Sequence, residues 1–265
     1  MNWMKYRWLY LLISGTLIIS GVFSMFKWGF QVGIDFTGGS LLEYRLPDGS
    51  IKTFKEKSID SERKVEIKSN LEKEVGGSIT EVRFENVGPT IGAETLKRTI
   101  YALIISTGAI LLWVAYQFKN LKFGISATLA TLHDSLILIG SFSILGHFFG
   151  AELDFLFVTA LLTILSFSVH DTIVVFDRIR EMRKSGIGEI TDLADVAVTE
   201  TMVRSINNSF TIIFMLLALI LLGGETVKWF AVALLIGTIS GTYSSPFVAV
   251  SILVTWDELK RRFKK

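Results

Sequence analysis

Six long apolar segments and one polar stretch organise the chain. A helix needs roughly 20 mostly apolar residues to cross the hydrocarbon core of a bilayer. Segments of this kind lie at about residues 8–25, 99–118, 123–145, 154–176, 206–222 and 229–254. The pattern therefore predicts an all-α membrane bundle of six transmembrane helices.

The polar stretch, residues 27–98, lies between the first two of these helices. Residues 40–46 and 78–87 are typical of strands, and residues 47–49 are typical of a turn. Apolar positions at helical spacing predict a helix over residues 62–75. We therefore expect a small external α+β domain, half of a ferredoxin-like fold, between transmembrane helices 1 and 2.

Composition separates the same two regions. Residues 27–98 contain 24 charged side chains in 72 positions, whereas the other 193 positions share 28. The mean hydropathy of +0.50 excludes a single soluble domain and a disordered chain. A formal net charge of +2 gives no support for a nucleic-acid partner. The sequence has no cysteine, which excludes disulfides and thiolate chemistry.

The distribution of Lys and Arg predicts the orientation. With the N-terminus inside, the inner segments carry 14 Lys and Arg residues, whereas the two short outer loops carry only Lys228. Both termini are then cytoplasmic. The first segment is also compatible with a signal peptide, but its long apolar run and the lack of a small-residue cleavage site favour an uncleaved span. The predicted parts are residues 1–26 (N-terminus and first helix), 27–98 (external domain), 99–254 (remaining helices, with a cytoplasmic loop at 177–205) and 255–265 (basic tail).

The cytoplasmic loop contains its own helical pattern. Apolar residues from Ile190 to Met202 recur at helical spacing opposite acidic ones. This pattern predicts an amphipathic helix, either lying at the membrane surface or packed as a connector under the bundle.

Two carboxylates lie inside predicted spans, where ionisable groups are costly. Asp134 falls near the middle of the third span, and we expect it either to relay protons or to hold two helices together. Asp171 falls in the fourth span among apolar residues, and we expect Ser168 and Thr172 to share its face of the helix. Because burial disfavours the charged form of an acid, Asp171 is suited to loading and unloading a proton.

A polar stripe runs along the start of the fifth span. Arg204, Asn207, Asn208 and Thr211 recur at helical spacing on an otherwise apolar helix. Arg204 is either an ordinary inner-side anchor or a cation that faces Asp171. His170 either shuttles protons beside Asp171 or is a packing residue.

No catalytic constellation accompanies these groups. The histidines lack the spacing of metal ligands, no phosphate-binding loop is present, and no Ser-His-Asp grouping can be argued. We therefore predict no enzyme activity, no metal and no catalytic residues.

Several segments resemble one family. Residues 32–39 and 87–92 resemble signatures of the external domain in the SecD and SecF protein-export membrane proteins. Residues 168–181 and 200–207 resemble motifs at the fourth and fifth spans of the SecF branch, and His133-Asp134 fits its third-span motif. The external-domain motif residues are Gly33, Asp35, Gly38, Gly39, Gly88 and Pro89.

The resemblance implies a location in the bacterial cytoplasmic (inner) membrane and a function in protein export across it. A SecF subunit pairs with SecD in a twelve-span assembly related to the RND transporters. The assembly works beside the SecYEG channel and uses the proton motive force, rather than a cofactor, to help translocate polypeptides. The proton-pathway aspartate of the family falls on Asp171 and its functional arginine on Arg204. His170 stands where the family usually has Asn.

Two other functions remain open from the residues alone. A proton-coupled RND exporter of small molecules or lipids would need larger external domains than 72 residues. A non-transporting scaffold subunit would tolerate neutral replacements of Asp171 and Arg204.

Overall fold

The computed structural model describes residues 2–184 and 188–263, and these residues form two compact units. One unit comprises the described residues within 1–31 and 103–265, and the other comprises Val32–Ala102. Lys264 and Lys265 of the predicted basic tail lie outside the described residues, as do residues 185–187 of the predicted cytoplasmic loop.

Helices dominate the described chain. The helices are α1 (Arg7–Trp28), α2 (Ile34–Thr37), α3 (Ser61–Val75), α4 (Pro89–Phe118), α5 (Leu121–Phe149), α6 (Phe155–Lys184), α7 (Ile190–Leu222), α8 (Glu225–Ser244) and α9 (Val250–Arg262). The strands are β1 (Gly39–Arg45), β2 (Ile51–Glu56) and β3 (Thr80–Val87).

Six helical segments within the described residues are long and apolar enough to cross a membrane, which confirms the predicted number. They are α1, α4, α5, α6, α7, and α8 continued by α9. Most extend past the predicted apolar windows, since a helix continues into polar residues when its backbone hydrogen bonds can be maintained.

The predicted amphipathic helix is part of α7. It does not form a separate element, because α7 runs without interruption from Ile190 into the fifth span. Its apolar positions are buried in the same core cluster as Phe123 and Phe176. Of the two expectations for this segment, the structure agrees with packing under the bundle.

The sixth span contains a local change of helix type. Residues Ser245–Ala249 form a π-helical turn between α8 and α9. Pro246 lies at its start and has no backbone N–H to donate to the preceding turn. The helix accommodates this missing donor by widening locally, as π-turns do.

Helices α1 and α5 pack closely through small residues. A Cβ atom built on Gly21 would lie 3.0 Å from the Cα of Gly140. The hydroxyl groups of Ser24 and Ser143 are 2.8 Å apart, and Ser143 donates to the carbonyl oxygen of Gly29 at 2.8 Å. Because Ser143 donates to Gly29, Ser24 is the donor in the interhelical bond.

The second unit contains an antiparallel three-stranded sheet of order β2-β1-β3. Helix α3 is capped at its start by Asp60, whose side chain accepts from the N–H of Arg63 at 2.8 Å, and it is followed by Gly76 in the left-handed conformation. Apolar residues of β1 and α3 form the core of this unit, with Leu42 and Leu71 almost completely buried. Strand β2 was not predicted, because its alternation is interrupted by three charged side chains at an edge position.

The core of this unit also holds one polar group. Tyr44 is 1% exposed, and its hydroxyl has no hydrogen-bond partner among the described residues. Burial raises the pKa of Tyr44 above its usual value of 10.0, and the charges of Glu81 and Glu72 add to this effect. On the surface, a hydrogen bond from the guanidinium of Arg63 lowers the pKa of the Glu56 carboxyl.

Candidate functional site

The carboxylate of Asp134 is the centre of a buried hydrogen-bond cluster. Asp134 is 1% exposed. Ser168 of α6 and Ser244 of α8 donate to its Oδ2 atom at 2.6 Å, and Ser240 of α8 donates to its Oδ1 atom at the same distance. Nδ1 of His133 lies 3.0 Å from Oδ1.

These contacts fill the acceptor capacity of the carboxylate. An ionised carboxylate has about four lone-pair sites, and a protonated one would need an acceptor for its own proton. Each oxygen of Asp134 faces two donors from the described residues. The arrangement therefore favours a fixed carboxylate that joins α5, α6 and α8, consistent with the helix-holding alternative for this residue.

The cluster continues through the π-turn. The hydroxyls of Thr172 and Ser245 are 3.0 Å apart, and Ser245 donates to the carbonyl oxygen of Ser168 at 3.2 Å. Ser168 and Thr172 were expected to share the face of Asp171. The structure instead places both of them at the contact between α6 and the sixth span.

Asp171 occupies a different contact, between α6 and α7. It is 6% exposed, and Ser205 of α7 donates to its Oδ2 atom. Among the described residues this is the only side-chain hydrogen bond that the Asp171 carboxylate receives. The next turn of α7 reaches α8, where the hydroxyls of Ser209 and Thr242 are 2.6 Å apart. Asp171 is thus buried but, unlike Asp134, retains free acceptor positions.

The polar stripe of α7 points away from Asp171. Arg204, Asn207, Asn208 and Thr211 are all exposed. Within the described part of the chain Arg204 forms no ion pair, so the structure does not bring it to Asp171. The hydroxyl of Thr211 donates to the carbonyl oxygen of Asn207 in its own helix, at 3.0 Å.

His170 also lies outside the cluster. It is exposed, whereas its neighbour Asp171 is buried. Adjacent residues of a helix point about 100° apart, which accounts for the difference. Of the two alternatives for His170, proton shuttle or packing residue, the structure places its ring neither beside the Asp171 carboxylate nor in the core.

The external-domain motif forms a close backbone contact in the second unit. Gly33 precedes α2, and Asp35 lies within it. Gly38 has φ +72°, and a Cβ atom there would lie 2.6 Å from the Cα of Pro89. A Cβ atom on Gly92 would lie 2.8 Å from the backbone nitrogen of Gly38. These glycines allow the segments 33–39 and 88–92 to pack backbone against backbone, which is a structural role.

Sequence reasoning named Ser168 but missed the other three serines that donate to the two carboxylates, which are Ser205, Ser240 and Ser244. Ser205 directly follows Arg204, and no pattern in the sequence around it indicated that it would bond to a carboxylate. Ser240 and Ser244 are one helical turn apart on α8. This i, i+4 spacing is the signal that could have placed two hydroxyls on one face of the sixth span.

The fold and the site together define a class: a multi-spanning membrane protein with carboxylates buried in its helix core. A family model described as protein export membrane protein SecD/SecF, C-terminal, matches residues 67–259. The chain belongs to the SecD/SecF family.

Individual relatives agree with this assignment. The protein translocase subunit SecF of Thermobaculum terrenum is 38% identical over 96% of this chain and 93% of its own length. The protein of the same name from Anaerolinea thermophila is 35% identical over 100% of this chain and 97% of its own. The crystal structure of SecDF from Thermus thermophilus, a translocon-associated membrane protein, has a TM-score of 0.88 at 29% identity over 97% of this chain. The chain spans 39% of that SecDF chain.

Proposed function

We propose that the chain is the SecF-type subunit of a Sec protein translocase, and that it uses the proton motive force together with SecD to assist polypeptide export. Family membership and the named relatives support the translocase role. The observation that carries the proton step is Asp171, a buried carboxyl group with one described hydrogen bond, at a contact between two helices.

Proton loading at Asp171 would act on the contact between α6 and α7. An ionised Asp171 accepts the hydrogen bond of Ser205, whereas a protonated Asp171 can itself donate. Moving one charge through 100 mV supplies ~2.3 kcal/mol. Such an energy shifts a two-state equilibrium about fifty-fold, which is sufficient to favour one packing of α7 over another. Arg204 would pair with Asp171 in only one of these packings.

Replacement of Asp171 by Asn tests this step. The variant Asp171→Asn keeps the shape of the side chain but cannot carry the proton. We expect loss of proton-gradient-dependent export in cells that depend on this subunit, at a normal membrane level of the protein. Asp177→Asn is the matched control, because Asp177 is an exposed acid on the same helix. Unchanged export by Asp171→Asn would contradict the proposal and favour the scaffold function.

The exposed stripe of α7 supports a helical partner within the membrane. Polar side chains that face lipid are costly, about 2.5–3.5 kcal/mol for an arginine at the centre of a helix. Two observations support SecD as this partner. The chain matches only part of SecDF, and Arg204, Asn207 and Asn208 are exposed. SecD would also complete the ferredoxin-like fold, of which the sheet of the second unit would be half.

Cross-linking tests the partner surface. Since the natural sequence has no cysteine, Asn208→Cys introduces a single thiol. We expect it to cross-link to SecD through a short thiol-reactive reagent. Leu112→Cys on the exposed apolar face of α4 is a control for non-specific reaction. Adducts with SecD at equal yield from both positions would contradict the assignment.

The remaining features of the proposal concern location. The count of positive residues supports cytoplasmic termini. Membership of the family supports a location in the inner membrane of a bacterium, close to the SecYEG channel and the translocating polypeptide. A thiol at Phe263→Cys should then react with an impermeant reagent only after the cytoplasmic side is opened. Reaction in intact cells would reverse the orientation.

A further inference from the structure

Two contacts fix the register between α1 and α5. Gly21 meets Gly140, and Ser24 meets Ser143 with hydroxyls 2.8 Å apart and a sequence separation of 119. The glycine pair has the same separation, since 140 − 21 = 119. The two helices therefore run parallel, with residue numbers advancing together.

Extended by two helical turns, the same register predicts that Ser14 lies opposite His133. These residues lie seven positions before Gly21 and Gly140, and their separation is again 119, since 133 − 14 = 119. A shift of seven residues is two helical turns and returns to the same packing face. Both side chains are buried accordingly: Ser14 is 3% exposed and His133 is 5% exposed.

Each of these two residues has a polar atom that lacks a partner. The Oγ atom of Ser14 and the Nε2 atom of His133 are buried and form no hydrogen bond with any residue in the described part of the chain. The other ring nitrogen of His133 faces Oδ1 of Asp134 at 3.0 Å. Because Asp134 accepts from three serines, this nitrogen carries the proton in the neutral ring, and Nε2 is left as an acceptor.

Tyr243 of α8 provides a third polar atom nearby. Its hydroxyl donates to the carbonyl oxygen of Tyr10, one turn before Ser14 on α1, at 2.9 Å. The Ser14 side chain lies close to the Tyr243 hydroxyl, although the two do not meet hydrogen-bond geometry. With its proton used, the oxygen of Tyr243 can still accept a hydrogen bond.

We propose that Ser14, His133 and Tyr243 form a binding site for a single water molecule in the membrane core. The hydrogen-bond inventory of the site matches one water. The hydroxyl of Ser14 donates to it, and the water donates one hydrogen to Nε2 of His133 and the other to the oxygen of Tyr243. Buried waters typically make about three such bonds. The water would extend the chain of hydrogen bonds from Asp134 through the His133 ring to α1.

The site assigns a positioning role to His133 that does not depend on export. A water on Nε2 would hold the tautomer in which Nδ1 donates to Asp134. The ionisable groups around it on α1, α5 and α8 are Tyr10, Asp134 and Tyr243.

Magnetic resonance of the intact chain tests the site directly. The full chain, labelled with ¹⁵N-histidine and reconstituted in lipid, contains three histidines, and His133→Gln assigns the signal of interest. We expect an unprotonated Nε2 that receives a hydrogen bond, with magnetisation transfer from water to the His133 ring. Ser14→Val, which fills the site with methyl groups, should abolish this transfer. Ser20→Ala is the control, because Ser20 is an exposed serine of α1 that bonds only to its own helix.

Specific results would overturn the assignment. Water transfer that is absent in the natural chain, or unchanged in Ser14→Val, excludes the water site. A protonated Nε2 bonded directly to Ser14 excludes it as well. If Ser14→Val does not fold, Tyr243→Phe keeps the ring and removes one acceptor. We then expect weaker transfer, and transfer at the natural level would count against the proposal.

Discussion

The glycine contact between α1 and α5 gives a quantitative prediction. A Cβ atom on residue 140 would lie 2.6 Å from the Cα of Gly21 and 3.2 Å from its carbonyl carbon. Both atoms belong to backbone and cannot rotate away. Ordinary contacts of a Cβ atom begin at 3.4 Å, so Gly140→Ala requires the helices to separate by about 1 Å.

The cost of this separation follows from three contributions. Overpacking of a close contact typically costs about 1–3 kcal/mol. The interhelical bond between Ser24 and Ser143 would lengthen and lose about 0.6 kcal/mol, the average for such bonds in membranes. Alanine favours a helix over glycine by about 1 kcal/mol, which offsets part of the loss. We expect Gly140→Ala to lower the free energy of unfolding by about 1–2 kcal/mol.

Two assays check this prediction. Unfolding of the purified chain with increasing concentrations of a denaturing detergent gives the free energy of unfolding. Oxidation of a Ser24→Cys, Ser143→Cys pair measures the proximity of the helices, and disulfide formation should slow when Gly140→Ala is added. Gly15→Ala is the matched control on α1, because a Cβ atom there meets nothing within 4 Å. Equal stability of Gly140→Ala and Gly15→Ala would refute the packing argument.

Three further predictions concern other contacts. Gly237→Ala should destabilise the bundle by about 1–3 kcal/mol, because its Cβ atom would overlap a side chain of α6. Gly241→Ala is the control, because its Cβ atom would have a nearest contact of 3.4 Å. Unfolding measurements on both variants in parallel would contradict the prediction if their stabilities were equal. Tyr44→Phe should be neutral or stabilising. In the natural chain, the stability that depends on a neutral Tyr44 phenol should be present below pH 10 and lost as the pH rises through its higher folded pKa. Unfolding measurements on both chains across this pH range test the argument, and coinciding pH profiles would contradict it. Lys122→Met should destabilise the chain more than the double replacement with Asp257→Leu, because the single change leaves the buried Asp257 carboxylate with only its longer contact to Arg261, at 3.7 Å. Additive effects in the double-mutant cycle would count against the coupling.

The six spans could be predicted because hydropathy is a local property of the sequence. Each span needs only its own residues to satisfy its backbone hydrogen bonds. The ends were predicted too short, as at the fourth span, where α6 continues to Lys184. Charged residues end an apolar window without ending a helix. Strand β2 was missed for a similar reason, since its pairing with β1 rather than its own pattern defines it.

The facing of polar residues could not be predicted from one span at a time. The spacing of Arg204, Asn207 and Asn208 predicted one stripe on α7. Which neighbour that stripe would face depends on how α7 packs, and the structure turns it outward. Asp134 shows the same limit, because its partners come from α6 and α8, and single serines are common in membrane helices.

The π-turn in the sixth span divides that helix into an arm on either side of a weak joint. One arm carries Ser240 and Ser244, which grip the Asp134 carboxylate. The other carries Asp257 and Glu258, which hold Lys122 and Arg7 by ion pairs of 2.6 Å at the far end of the bundle. Pro246 has already removed a backbone bond at the joint, so bending there costs less than bending elsewhere. A rearrangement around the Asp134 carboxylate would therefore change the angle between α8 and α9 at the π-turn, and this hinge motion would displace the distant ion pairs.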